Sequence, residues 1–415
     1  MKSIELYTNL LKDSLPSKKI IGKQGDYSYH LPCKILFGIG VADKIGIEAK
    51  KLGCTKTLII TDKGIVNSGL VDIIIGTLKD SGISSVVYDG VAANPTIDSV
   101  NDAYSQIMKV KPDGLVALGG GSAIDTAKVA ALRVTNDVPL EKALRGEPIT
   151  IPRNIPLIAV ETCSGTSAEV TLFAPVQDAK TQDKLGYGTP LLVPDVAICD
   201  PLFTLSVPSY ITACTGIDCL SHAIESYVTK YAWPITEVLA LGAIKLVFDN
   251  LRKAVFNGND VQAREGMLMA NLMVGMAFPY SGAGMVHGCG EPLSGVYNMV
   301  HGLTMGLMMP YVERFNMPSN YNKFKEIARA AGENVEGLSD REAAELAIVA
   351  LVKLNKDVGI PDSLEEAGVK KEDLPRLVGK ASNHGCMSVN PILMTKKDLE
   401  NVFNQAFNGT LKDIV

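Results

Sequence analysis

No run of about 20 apolar residues, the length that spans a bilayer, occurs in this chain; stretches such as Met267–Phe278 fall short of it. That argues against a transmembrane helix. No Lys/Arg-rich run is present and the formal net charge is -5, so no basic field exists to meet phosphates and nucleic acid is not expected as a partner. The eight cysteines are scattered without a CxxC pair, a pattern of free thiols in a reducing compartment. Residues Met1 to Ser14 carry Glu5 and Asp13; they lack the apolar core of a secretory signal and the acid-free character of a transit peptide. Neither an internal repeat nor a low-complexity tract is found. The expectation is a cytoplasmic protein with no membrane partner.

What is there suits an enzyme. A chain of 415 residues, 47% hydrophobic and 20% charged, is too long for one ordinary core and suggests two domains. Residues 1–26 read as an N-terminal extension: a short amphipathic helix, then a Pro/Ser/Lys/Gly-rich connector from Leu15 to Gly25. From Leu31–Gly40 to about residue 200, β-rich runs alternate with helical patterns: Thr57–Thr61, Val86–Tyr88, Gly114–Leu118, Ile155–Val160 and Val196–Ile198. This is the signature of a parallel α/β sheet. Beyond Pro208 the pattern turns helical, over Ile211–Thr229, Ile235–Phe248, Ala263–Phe278, Tyr321–Ala331, Arg341–Asn355 and Asp398–Phe407. The expected division is 27–208, a dinucleotide-binding α/β domain, and 209–415, an all-α metal-binding domain, with a ligand cleft between them.

The segment from Asp113 to Arg133 reads as strand, triple glycine and helix. Gly119, Gly120 and Gly121 let the backbone approach an anion closely, and the N–H groups at a helix start would hold one. Ser122 and Asp125 have capping-box spacing. The plain alternative is a glycine-rich turn, and the G-x-G-x-x-G fingerprint is absent. Asp62, just after the Thr57–Thr61 run, either accepts the ribose hydroxyls of an adenosine or caps a helix.

Only five histidines occur. Asp218 and His222 are four apart and would share one helix face. On one straight helix His287 and His301 would lie about 21 Å apart, but Gly288, Gly290, Pro292 and Gly295 offer breaks between them. One carboxylate and three imidazoles suit Zn2+ or Fe2+ equally in softness; singly, each histidine also reads as an ordinary core or surface residue. His30 and His384 lack such company and are left without a site role.

GGGSAIDTAK, IDCLSHAIESYVT and MVHGCGEPLSGVYNMVHG, in that order, together resemble the iron-containing, group III alcohol dehydrogenases, over about residues 28–408. The resemblance implies a dehydroquinate synthase-like fold, an N-terminal dinucleotide-binding domain followed by a helical one. It implies Asp218, His222, His287 and His301 as metal ligands. Gly120, Gly121 and Ser122 would take the cofactor diphosphate, with Asp62 and Asn94 near the adenosine. Thr162 and Thr171 match threonines that line the cofactor, and Lys184 matches a lysine that reaches a cofactor ribose. Glu161-Thr162-Cys163 stands where the family usually shows Pro-Thr-Thr, and Glu291 where many members carry a further histidine. The N-terminal extension is longer than usual.

The reading that follows is an NAD-dependent, metal-dependent alcohol dehydrogenase or aldehyde reductase, with NAD(H) favoured over NADP(H) because Asp62 would repel a 2′-phosphate. Iron is the expected metal, zinc the alternative. A Lewis-acid metal would carry the chemistry, with Glu291 in the pocket as a ligand orienter, extra metal ligand or proton acceptor, or else a solvent-facing helix residue. The partners expected are a small alcohol or aldehyde and further copies of the chain, as a homodimer or higher homo-oligomer. A metal- and NAD-dependent lyase or synthase is the rival, disfavoured because segments 214–229 and 281–302 carry no Lys or Arg. A non-catalytic scaffold is a second rival, opposed by intact candidate ligands.

Overall fold

In the computed structural model the described residues are 27–414, except 93, 137, 146, 148, 179, 180 and 182. The N-terminal extension and its expected helix lie outside them. Six strands, β1 (Lys34–Phe37), β2 (Lys56–Ile60), β3 (Ser84–Tyr88), β4 (Gly114–Gly119), β5 (Leu157–Glu161) and, later in the chain, β8 (Val196–Cys199), form one sheet in the order β1-β8-β5-β4-β2-β3. Every pairing in it is parallel. The central strands β4, β5 and β8 are buried at every position, so they read as continuous apolar runs rather than alternating ones. Along β4, Leu115 and Ala117 enter the core on one face while Val116 and Leu118 enter the other, as a period of two requires.

Helices α1 (Ile45–Lys51), α2 (Lys63–Asn67), α3 (Leu70–Asp80), α4 (Ile97–Val110), α5 (Gly121–Arg133) and α6 (Leu140–Leu144) connect the strands. α1 and α3 pack on one face of the sheet, and α4, α5 and α6 on the other. The chain winds outward from β2 to β3 in one direction and from β4 through β5 to β8 in the other. The order therefore reverses between β2 and β4, which is where open α/β sheets leave a crevice for ligands.

The antiparallel hairpin β6 (Phe173–Asp178) and β7 (Asp183–Gly188) was not expected from the sequence. Pro175, Gly186 and Gly188 weaken its strand signal; Ala174 and Val176 anchor it in the sheet's core.

From Ser209 the described chain is helical: α7 (Ser209–Val228), α8 (Pro234–Phe256), α9 (Val261–Ser281), α10 (Met285–Tyr297), α11 (His301–Asn316), α12 (Tyr321–Ala330), α13 (Asp340–Asp357), α14 (Leu374–Ser382) and α15 (Lys396–Asn408). Six of these overlie the expected periodic stretches; α10, α11 and α14 do not. The expected break among Gly288, Gly290, Pro292 and Gly295 is not made, for all four lie inside α10. The turn comes instead at Asn298, in the left-handed conformation (φ 53°), which asparagine tolerates better than most residues. No described helix is long and apolar enough to cross a membrane.

A small apolar cluster joins the two halves, with Val170, Ala197 and Cys199 against Leu268 and Leu272 of α9. Beside it the Asn271 side chain accepts the Ser167 N–H (3.0 Å) and donates to Glu169 (3.0 Å).

Candidate active site

A cleft of about 2090 Å³ runs from the C-terminal ends of β2 and β4 to the helices that carry the candidate ligands. It exceeds the roughly 300–1,000 Å³ of a small-molecule pocket, which leaves room for a dinucleotide and a substrate together. At its sheet end, Gly119 adopts φ 149° and a Cβ there would fall 2.8 Å from Ala123. Cβ atoms on Gly120 and Gly121 would meet Cys163 Sγ at 2.8 Å and Thr166 Oγ1 at 2.6 Å. Only glycine fits this loop, and it opens directly onto the first turn of α5.

Two sequence readings change here. The capping box at Ser122 is not formed: α5 starts at Gly121, with Gly120 as N-cap and no side-chain cap. Asp125 turns instead to the buried Lys128 ammonium at 3.2 Å, a charge that would otherwise lie unpaired in the core. Asp62, left open between two roles, does cap a helix: its Oδ1 accepts the N–H groups of Gly64 (2.7 Å) and Ile65 (3.1 Å). It also lines the cleft.

The other expected cofactor residues, Asn94, Ser122, Thr162, Thr171 and Lys184, all line the same cleft. Asn94 Nδ2 donates to Asn298 Oδ1 in the α10–α11 turn (3.3 Å). Thr162 N–H meets the Gly119 carbonyl at 3.2 Å, and Thr171 Oγ1 accepts from Lys128 (3.2 Å). Lys184, carried in by the hairpin, places Nζ 3.5 Å from His301 Nδ1.

At the helical end, Asp218 and His222 share a face of α7. His222 Nδ1 donates to the Asp218 backbone oxygen (3.0 Å), which leaves Nε2 as its lone-pair donor. His287 enters from the first turn of α10, its Nε2 3.8 Å from Asp218 Oδ1. Ligand atoms of Asp218, His222 and His287 lie within 4.8 Å of one another. His301 joins through Asp218, with Nε2 3.5 Å from Oδ1. It reaches that place because the next residue is glycine: a Cβ on Gly302 would sit 1.8 Å from the Cys214 carbonyl oxygen of α7.

Asp218 Oδ1 and His287 Nε2 are buried and have no hydrogen-bond partner. Such groups are costly unless something satisfies them. Atoms bound about 2.1 Å from one tetrahedral ion lie roughly 3.4 Å apart, close to the 3.5–3.8 Å seen around Asp218 Oδ1. The donor set therefore fits a divalent cation.

Electrostatics prepare the ligands. Burial pushes the Asp218 carboxyl up, but the neighbouring imidazoles His222, His301 and His287 hold it well below the usual carboxylate range. Burial and the charge of His287 bring His222 down to about 4, and burial and Lys184 bring His301 to about 3; both imidazoles stay neutral at physiological pH. His287 moves the other way, to about 10: burial opposes its charge, but Glu225 and Asp218 together outweigh it. Glu225, not singled out from the sequence, lies one helical turn after His222 and accepts His287 Nδ1–H and the Val286 N–H. The spacing of Glu225 from His222 was the one signal for it.

His384, left without a role in the sequence reading, also lies in the cleft and donates to Glu291 at 2.8 Å. Nothing local marks it, because its partner is 93 residues away. Arg376 and Lys380 line the cleft as well, so the absence of basic residues from the ligand segments says less against an anionic substrate than the sequence alone suggested.

The family profile described as "Iron-containing alcohol dehydrogenase" matches residues 32–201, and "Fe-containing alcohol dehydrogenase family, C-terminal" matches 212–407. The chain belongs to the iron-containing alcohol dehydrogenase family. It is 39% identical to 1,3-propanediol dehydrogenase of Citrobacter freundii, covering 92% of this chain and 99% of that protein. It is 35% identical to NAD-dependent methanol dehydrogenase of Bacillus methanolicus, over 91% and 99% of the two chains. The solved alcohol dehydrogenase of Oenococcus oeni superposes with a TM-score of 0.89 at 39% identity, over 92% and 100%. The α/β sheet followed by a helical half is thus the fold of this family. The protein is an alcohol/aldehyde oxidoreductase of the NAD-linked, metal-dependent kind, and the comparisons give the lyase alternative no support.

Proposed function

We propose that NAD(H) lies along the sheet side of the cleft and a divalent metal at Asp218, His222, His287 and His301, where a small alcohol and its aldehyde are interconverted. The observation that carries this is the pair of buried, unpartnered ligand atoms, Asp218 Oδ1 and His287 Nε2, at the far end of a cleft that begins at a glycine loop. When bound, the metal supplies Lewis acidity to the substrate oxygen, and the nicotinamide supplies or accepts the hydride.

The chain's own residues do the rest. The loop at Gly120, Gly121 and Ser122 binds the diphosphate with N–H groups at the start of α5. Asn94 and Asp62 lie toward the adenosine, and Asp62 selects NAD(H) over NADP(H). Thr162 and Thr171 line the nicotinamide half, and Lys184 reaches a ribose. Glu225 orients His287 and keeps its imidazole basic. Glu291, as an ionised carboxylate, disfavours anionic substrates. Fe2+ is the metal we expect, with Zn2+ also compatible with these donors.

We assign residues 27–208 and 209–415 as its two domains. Eight free cysteines support a cytoplasmic setting, and a homodimer or higher homo-oligomer is the assembly we expect. The test is metal analysis of anaerobically purified protein together with NADH consumption over a panel of short aldehydes. A metal-loaded protein that turns over none of them would overturn the reading.

A further inference from the structure

Glu291 of α10 and His384, from the turn after α14, meet across the helical end of the cleft. His384 Nε2 lies 2.8 Å from Glu291 Oε2. The other ring nitrogen is already occupied, because Nδ1 accepts the Cys386 backbone N–H at 3.3 Å. A nitrogen that accepts carries no proton, so the proton sits on Nε2 and is given to the carboxylate. Glu291 accepts this hydrogen bond and keeps its charge. Burial pushes Glu291 up, but the His384 hydrogen bond, with Lys184 and His301, holds it well below the usual carboxylate range.

His384 therefore does two things: it fixes the direction of the carboxylate and occupies one of its oxygens. The other, Oε1, makes no hydrogen bond among the described residues. An ionised carboxylate can only accept, so that oxygen takes its hydrogen bond from water or from a donor on a ligand bound in the cleft. Glu291 lies one turn beyond His287, about 6 Å along the helix. Both residues line one cleft, so a short substrate with its reacting carbon at the candidate ligand cluster can turn a second oxygen toward Glu291.

We propose that Glu291, held by His384, is a specificity-determining residue that accepts a hydrogen bond from a hydroxyl on the substrate, so that short hydroxyaldehydes and diols are preferred over plain alkanals and alkanols. This deepens the function proposed above and rests on it. The reaction is unchanged: hydride passes from NADH to the carbonyl carbon and one proton is taken up at its oxygen, giving the alcohol and NAD+. A plain alkanal displaces water from this part of the cleft and offers the carboxylate no donor in its place. A site built to bond a hydroxyl rejects the analogue that lacks it, because the polar group is then left unpaired. For a hydrogen bond to a charged acceptor the expected margin is roughly 10- to 100-fold in kcat/KM.

The experiment uses the full-length, metal-loaded protein with NADH and compares 3-hydroxypropanal with propanal. In parallel, the Tm shift given by NAD+ with 1,3-propanediol is compared with that given by NAD+ with 1-propanol. The expected result is a hydroxyaldehyde preference of roughly 10-fold or more and the larger Tm shift with the diol. In Glu291→Gln the preference should fall toward parity, chiefly through KM for the hydroxyaldehyde, with metal content retained. His384→Gln, a change on a different element, should move the ratio the same way, and the double variant should add little. A wild-type preference near one, or a clear preference that neither variant moves, overturns the proposal. If no aldehyde is turned over, the oxidoreductase reading of the site fails, and the diol-against-alkanol Tm comparison still decides this one: equal shifts overturn it.

Discussion

The buried carboxylate of Glu225 serves His287 twice. One oxygen takes the Nδ1–H of its imidazole, and the other accepts the backbone N–H groups that open α10, Val286 at 2.6 Å and His287 itself at 3.3 Å. One side chain thus fixes both the start of the helix and the ring it carries. Glu225→Gln can satisfy only one of these sets, since its amide nitrogen would face an N–H group. Metal affinity should fall by about 10- to 100-fold, as is usual for outer-shell partners of ligand histidines, with helical content retained. Metal per protein after dialysis against a weak chelator checks this; retention equal to wild type would show that His287 needs no such support.

His287→Ala removes one of the proposed metal ligands. The variant should lose its metal and with it turnover, because the Lewis acid and its site go together. The backbone bonds from Val286 and His287 to Glu225 persist, so the circular dichroism spectrum should remain near that of wild type. Near-normal metal content and turnover would mean that the ligand assignment is wrong.

The sheet, the glycine loop and the pairing of Asp218 with His222 could be read from the sequence because each has a local signature. β4 and β5 are buried at every position and are apolar but for Glu161 at the end of β5, and Asp218 and His222 sit at helical spacing. The hairpin β6–β7 escaped notice because Pro175 and its glycines mask the strand pattern. α10 and α11 escaped because glycine and proline, elsewhere punctuation, lie within them. Glu225 and His384 owe their places to contacts across 62 and 93 residues. Such contacts leave no mark on local pattern.

Glu161 and Glu169 predict a pH effect remote from the ligands. Both are fully buried. Glu161 Oε1 accepts the N–H groups of Thr162 and Cys163, both at 3.0 Å, and Glu169 Oε1 accepts Asn271 Nδ2 at 3.0 Å. Burial, then the charge of Glu169, pushes Glu161 well above the ordinary carboxylate range, and Glu161 Oε2 and Glu169 Oε2 are both buried without a hydrogen-bond partner, so Glu161 holds a proton where a free carboxyl would not. The folded protein thus binds a proton that the unfolded chain releases. The stability this provides is full below the ordinary carboxylate pKa and is lost as pH rises toward the elevated one, by up to about 1.4 kcal/mol per pH unit for one proton. Glu161→Gln puts a permanently neutral amide in place of the protonated carboxyl. Its Tm should match wild type near pH 5 and exceed it increasingly toward pH 9. Parallel Tm curves across that range would remove the bound proton from the account.

Asp62 predicts the cofactor preference. Its Oδ1 is occupied in capping α2, yet the residue lines the cleft at the end of β2, beside the point where the strand order reverses. A carboxylate there can accept ribose hydroxyls, whereas a 2′-phosphate would meet like charge at a cost of roughly 1–4 kcal/mol if the groups come within about 4 Å. That corresponds to a preference for NADH over NADPH of roughly fivefold to several hundredfold in kcat/KM. In Asp62→Gly the preference should narrow or reverse, mainly through a lower KM for NADPH. Glycine is itself a tolerated N-cap, so the stability loss should be only a few tenths of a kcal/mol, and a change in cofactor preference will not be confused with unfolding. Asp62→Asn, which keeps a capping oxygen and removes the charge, separates the two roles further: it should retain wild-type Tm while losing most of the discrimination. Equal efficiency with both cofactors in the unmodified protein would show that Asp62 acts as a helix cap alone.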